Sequence, residues 1–201
     1  PPSFAAERGE EDRLRSHLFD IAGFGTEEML RRAAVPADLI AGFAGLFALR
    51  TRPAVGLAQL LHAYFDVPVA VEQFVGEWRP LSDSGQQCLG ADDLDGTLGA
   101  GVLGNAVYDP LARVRVRLGP LDARRFDAFL PNAPAHDELR RLCRLYTDDT
   151  VGVEVQLVLH RDEARGLALG ESDGPRLGFG SWMLRGPRSR DLDDVTLNIL
   201  H

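Results

Sequence analysis

A serine between two glycines is the first candidate for chemistry in this chain. Residues 170–174 read Gly-Glu-Ser-Asp-Gly, which fits the GxSxG pattern that exposes a serine nucleophile on a strained turn between a strand and a helix. Pro175 follows directly and the next residues favour a strand, so no helix N-terminus is available to build an oxyanion hole. A catalytic triad would also need His201, the last residue. A serine hydrolase using Ser172 therefore stays an alternative, and a polar loop is favoured.

Three glycines have the spacing of a dinucleotide-binding fingerprint. Gly99, Gly101 and Gly104 form GxGxxG, which in nucleotide-binding proteins follows a buried strand and opens a helix. Here Asp92, Asp93 and Asp95 precede the glycines, and Val-Tyr-Asp-Pro, a strand start, follows them. The pattern therefore disfavours nucleotide binding and indicates a flexible crossing between two strands.

The same stretch carries carboxylates that could hold a cation. Asp93 and Asp95 match part of a calcium-binding loop, but Ala91 and Val102 occupy its first and last ligand positions. Together with Asp92, these residues support two hypotheses, an acidic-loop calcium-binding module and an interaction loop. The second is favoured, since long loops between adjacent strands are commonly functional.

Other catalytic classes are excluded by the residue types present. The 22 basic residues are all arginine, which rules out a P-loop lysine, a Schiff-base lysine and a protein kinase. His160-Arg161-Asp162 matches part of a kinase catalytic loop, but Leu167 stands where its metal-binding asparagine would be. Cys88 and Cys143 are far apart and form no CxxC motif, so neither a disulfide framework nor a structural zinc site is indicated. We expect no cofactor and no bound metal.

The charge of the chain limits its partners. The net charge of −8 disfavours binding to nucleic acid or to an anionic membrane surface. No run of about eighteen apolar residues occurs, so direct membrane insertion is not expected. Arg113, Arg115 and Arg117 alternate with valines and therefore project from one face of a strand. This row is expected to be a solvated sheet face, or a surface that meets an acidic partner.

An ordered series of short motifs runs through the chain from about Phe43 onward. The motifs are RPxxGL at 52–57, YFxVPV at 64–69, EQFVGxW at 72–78, LGxGxLGxxVYD at 98–109, RVRVRLGPL at 113–121, RLY at 144–146 and LGxxSW at 177–182. The series resembles the TssG family, a baseplate subunit of the bacterial type VI secretion system. Members of that family begin well before the first residue of this chain, so we expect a fragment of a longer protein.

The resemblance implies a non-enzymatic structural subunit of the baseplate wedge. It implies the partners TssF, TssK and TssE, and a cytoplasmic location at the inner face of the bacterial inner membrane. Loops of about 79–106 and 161–176 are the expected contact segments, because loops on a rigid sheet carry recognition. The candidate partner-binding residues are Trp78, Asp92, Asp93, Asp95, Arg113, Arg115 and Arg117.

Hydrophobic periodicity indicates the elements that must position these residues. We expect helices over 12–22, after Thr26, over 36–49, 53–64, 122–130 and 134–146, and strands over 67–78, 107–118, 151–159 and 177–184. The first strand is expected to bulge near Gln73. The predicted fold is α+β, with a mainly antiparallel sheet covered by helices on one face and the order α-α-α-α-β-β-α-α-β-β. A boundary near residue 65 divides a helical segment, 1–65, from a sheet domain, 66–201, in one packed unit.

Overall fold

The computed structural model of the chain describes residues 3–82, 86, 104–164, 178–182 and 189–200, with side chains from residue 13 onward. Its elements follow the predicted order of helices, two strands, helices and two further strands.

The chain begins with five helices. They are α1 (Ser3–Ala22), α2 (Glu27–Ala33), α3 (Ala37–Gly42), α4 (Ala44–Ala48) and α5 (Ala54–Phe65). Thr26 caps α2, since its hydroxyl accepts a hydrogen bond from the amide of Met29 at 3.4 Å. The first helix begins at Ser3, earlier than the expected Asp12. The single helix expected over 36–49 is two helices, because the backbone leaves helical geometry at Phe43, with φ −110° and ψ 19°.

Four strands form one mixed sheet in the order β1-β2-β3-β4. Their bounds are β1 (Val69–Pro80), β2 (Ala106–Leu121), β3 (Gly152–Leu159) and β4 (Leu192–Leu200). The β1–β2 and β3–β4 pairs are antiparallel, and β2–β3 is parallel. Two helices, α6 (Ala123–Ala128) and α7 (Pro134–Thr147), connect β2 to β3 and return the chain to the end from which a parallel strand must start. The predicted α+β class with a mainly antiparallel sheet is confirmed.

Two details of the strands were tested by the structure. The expected bulge is confirmed, since the β1–β2 register shifts on both sides of Val75 and Phe74 has φ 63°. The prediction of a last strand over 177–184 is wrong. Residues 178–180 form a turn, and the fourth strand is β4, whose hydrogen-bonding partner β3 lies far away in the sequence.

The core lies between the sheet and the helices. The helices contribute Leu57, Leu60 and Leu61 from α5 and Leu139, Leu142 and Tyr146 from α7, and the sheet contributes Val116, Leu118, Val155 and Leu157. These residues belong to one cluster, so residues before and after position 65 share a core. The proposed division at 65 remains an interpretation of the sequence.

The β1–β2 pair extends beyond the rest of the sheet. Its pairing runs from Val69 opposite Leu118 to Pro80 opposite Ala106, whereas β3 pairs with β2 only from Arg113 onward. Among the described residues, 106–109 therefore pair with 77–80 of β1 and have no partner on β3. We call residues 75–80 and 106–112 the β1–β2 arm.

Candidate functional site

The arginine row of β2 faces carboxylates on the neighbouring strands. Arg113 donates to Glu77 at 2.5 Å, to Glu154 at 3.4 Å and to the side-chain oxygen of Asn198 at 2.8 Å. Arg115 donates from Nε to Glu154 at 2.6 Å. These contacts join β1, β2, β3 and β4 across one face of the sheet.

The rest of the row is paired in the same way. Arg115 also lies 3.5 Å from Glu72, and Arg117 lies 3.3 Å from Asp193. Both arginines keep partly exposed side chains, whereas that of Arg113 is only 8% exposed. The expected single face is confirmed, but the expected solvation is wrong at Arg113 because three side chains from the neighbouring strands enclose its guanidinium.

Trp78 lies on the arm and is 67% exposed. Its ring packs against that of Tyr108, the directly paired residue on β2, with 5.4 Å between centroids. Strand tryptophans are usually buried, whereas Trp78 exposes most of its surface. Tyr108 also lies close over Gly76, where a Cβ would come within 2.1 Å of the phenol oxygen. Sequence reasoning missed Tyr108 as the partner of Trp78, because this pairing depends on the register of β1 against β2.

A cleft of about 370 Å³ opens between the first two strands, α5, α7 and the segment before α5. Tyr146 forms part of its wall and donates a hydrogen bond to the carbonyl of Pro53 at 2.9 Å. Burial raises the pKa of the Tyr146 hydroxyl, and the nearby charge of Arg52 partly opposes that shift. The phenol therefore stays protonated at neutral pH and acts as a structural donor.

Several candidates from the sequence lie outside the described residues. They are Asp92, Asp93, Asp95, Gly99, Gly101, Ser172 and His201. Of the fingerprint glycines, Gly104 is described and has φ 107°, a conformation that glycine adopts readily. In the described ranges no group of three or more histidine, cysteine or acidic side chains could hold a metal ion. None of the described helices combines the length and apolar character needed to cross a membrane.

The kinase-like triplet has a local structural role. Residues 161–163 form a single 3-10 turn after β3, and Nδ1 of His160 accepts a 3.4 Å hydrogen bond from the amide of Asp162. The amide of Arg161 donates to Asp191 at 3.0 Å, just before β4. These bonds fix the start of the segment that links β3 to β4.

Cys143 gives a test of the packing around α7. Its thiol is buried, and burial raises its pKa to about 12. Since the thiolate is the reactive form, we expect the folded Cys88→Ser variant to resist labelling by a thiol reagent such as DTNB at about pH 8. The same variant should react promptly once guanidinium chloride unfolds it. Rapid labelling of the folded variant would contradict the burial of Cys143.

The comparison with protein families finds a match over most of the chain. The family model described as "Type VI secretion, TssG" matches residues 1–184, and so extends to the residues before Phe43. A search of curated proteins finds no match.

Two solved structures contain chains with a similar fold. One is the TssK-TssF-TssG baseplate subcomplex determined by cryo-electron microscopy. A chain in it matches with a TM-score of 0.69 and 19% identity, over 92% of this chain and 77% of its own length. The other is the baseplate complex from the type VI secretion system, with a TM-score of 0.53 and 18% identity, over 86% of this chain and 53% of the matched chain. Because the family model covers well over half of its residues, this chain belongs to the TssG family of type VI secretion proteins.

Proposed function

We propose that this chain is a non-enzymatic structural subunit of the type VI secretion baseplate wedge, which holds other proteins in place. The observation that carries the proposal is the family match over residues 1–184, and the fold shared with chains of two baseplate structures supports it. TssK and TssF accompany TssG in one of those structures, and we propose both as partners. TssE is a third partner, which the family resemblance suggests.

The proposed location is the cytoplasm, where the assembled baseplate would lie at the inner face of the inner membrane. The family resemblance is the basis for this proposal. A free, buried Cys143 is compatible with a reducing compartment. The protein would be held at the membrane by other subunits.

The arm and the loop that it carries are the proposed contact surface. Just beyond the ends of the two strands, the amide of Leu81 donates a 2.8 Å hydrogen bond to the carbonyl of Asn105. Trp78 lies three residues before Leu81 and has the large, exposed aromatic surface that often anchors protein interfaces. The ends of the proposed contact loop, about 79–106, are therefore held together beside the exposed rings of Trp78 and Tyr108. Its carboxylates Asp92, Asp93 and Asp95 are proposed to take part in the contact.

The arginine row divides into direct and indirect roles in this proposal. Arg115 and Arg117 keep exposed surface beside their carboxylate partners and are proposed to contact a neighbouring subunit. Arg113 is enclosed, so its proposed part is to hold Glu77 and Glu154 in position. Trp78 and this row lie on strands of the sheet.

A loop deletion tests the scaffold role. Replacing residues 83–103 by a short Gly-Ser linker leaves Leu81 and Asn105 to close the hairpin. We expect this variant, co-expressed with TssF and TssK, to recover much less TssK on affinity purification. A second variant replaces residues 165–176, and we expect the double variant to lose TssK altogether.

TssF and circular dichroism provide the controls. An unchanged far-ultraviolet spectrum would indicate an intact fold, and continued recovery of TssF would indicate that the wedge still assembles. Undiminished recovery of TssK with both loops removed would reject the loops as its contact segments. Adding TssE to the same purification tests the third partner, whose absence from the purified wild-type complex would reject that assignment.

A further inference from the structure

The cleft beside α5 has an apolar wall and an exposed apolar rim. Leu57 and Tyr146 line its interior, and Phe74 and Leu111 lie at its edge with 69% and 66% of their surfaces exposed. The mouth of the cleft therefore offers unburied apolar surface on both strands of the β1–β2 pair. Exposed apolar surface beside a concave site is typical of surfaces that bind other proteins.

Phe74 has a backbone conformation that bulky residues rarely adopt. Its φ of 63° lies in the left-handed region, which bulky residues other than glycine adopt only with strain. The bulge that contains Phe74 holds this aromatic ring at the rim of the cleft. Strained conformations of this kind are concentrated at sites of function.

The lining of the cleft is positively charged, although the chain as a whole is acidic. The described residues that line it include three arginines and no carboxylate, whereas the net charge of the chain is −8. Arg113 is neutralised by Glu77 and Glu154. The positive charge at the cleft therefore comes from Arg50 and Arg52.

These two arginines have no acidic partner within the described parts of the chain. Arg52 donates to the carbonyls of Leu46 and Phe47 at 2.8 and 2.7 Å, and its guanidinium lies 5.8 Å from the centre of the Tyr146 ring. Arg52 is thus held in place without being neutralised. Arg50 is exposed and makes no ion pair with a described residue.

We propose that this cleft binds an acidic segment of another protein, which places a bulky apolar side chain in the cleft and a neighbouring carboxylate on Arg50 and Arg52. Apolar surface at the rim supplies burial, and the two unneutralised guanidiniums select a negative charge. The inference deepens the proposed scaffold role by adding a second docking surface, separate from the arm's loop.

A random peptide library displayed on phage provides the test. Panned against the full chain, it should enrich sequences that place Asp or Glu beside Leu, Phe or Trp. The most enriched sequence is then made as a labelled peptide and titrated by fluorescence anisotropy. We expect the affinity to fall by about tenfold in Arg50→Glu and in Leu111→Glu, and to fall with added salt in the wild type.

Two exposed positions outside the cleft serve as matched controls. Arg124→Glu on α6 and Leu14→Glu on α1 make the same changes at exposed sites, and both should keep the wild-type affinity. The inference is overturned if no acidic and apolar sequence is enriched, if Arg50→Glu binds equally well, or if sedimentation shows that the cleft instead pairs two copies of the chain. None of these outcomes depends on TssK recovery, so the cleft and the scaffold role can fail separately.

Discussion

Replacing Glu154 by alanine should lower the free energy of unfolding by about 3 kcal/mol, the cost of removing one partner from a buried ion pair. Glu154 is buried and accepts hydrogen bonds from both Arg113 and Arg115. Its loss removes one of the two carboxylates that neutralise Arg113, whose Nε already lacks a hydrogen-bond partner. Urea denaturation followed by circular dichroism measures the change.

Two further variants separate charge from shape at this position. Glu154→Gln keeps the length of the side chain and one acceptor oxygen but removes the charge. We therefore expect its free energy of unfolding to lie between those of the wild type and Glu154→Ala. Asp194→Ala removes an exposed carboxylate from β4 in the same sheet and should change stability by less than about 0.5 kcal/mol. If Glu154→Ala is no less stable than Asp194→Ala, the arginine network does not stabilise the sheet.

Adding one methyl group to Gly56 should cost about 2 kcal/mol of stability, because the core is already filled there. A Cβ at this position would lie 2.3 Å from the hydroxyl oxygen of Tyr146 and 3.2 Å from Cδ2 of Leu46. Gly56 is in α5, where alanine would otherwise favour the helix by about 1 kcal/mol. We therefore expect the clash to outweigh the helix preference, so that Gly56→Ala lowers the free energy of unfolding. Thermal or urea unfolding of the variant measures the change.

Removing the clashing oxygen provides an internal check. Tyr146→Phe alone loses the hydrogen bond to Pro53, at a cost of about 1 kcal/mol. Combined with Gly56→Ala, it should recover at least about 1 kcal/mol relative to the sum of the single changes, since contacting residues are not additive. Gly45→Ala is the matched control, because no atom lies within 4 Å of the added methyl, and it should be neutral or stabilising. Strict additivity of the two changes would contradict the close approach of Tyr146.

Much of the fold follows from local patterns in the sequence. The apolar stripe Leu57, Leu60 and Leu61 predicts α5, and five alternating residues predict β3. The fourth strand is harder to recognise. Val195, Leu197 and Ile199 alternate with polar residues, but this alternation spans only five residues and follows two aspartates, a residue type that strands disfavour. Its position is determined by pairing with β3, which no local pattern encodes.

In the candidate site, too, the sequence predicts local features but not contacts between distant residues. Strand alternation alone places Arg113, Arg115 and Arg117 on one face. Their carboxylate partners stand on other strands, up to 76 residues away in the case of Asp193, so their pairing requires the sheet register. The exposure of Trp78 likewise depends on the sheet. The pairing of β3 with β2 begins at Arg113, so the arm that carries Trp78 is only two strands wide among the described residues.

The two-stranded arm has a mechanical consequence. A narrow ribbon twists and flexes more easily than a four-stranded sheet, and the register shifts around Val75 weaken the ladder where the arm joins the body. The ion pairs and the shared core stiffen the body beyond that point. A load applied at the end of the arm would therefore be taken up as elastic deflection of the ribbon, while the body keeps its shape.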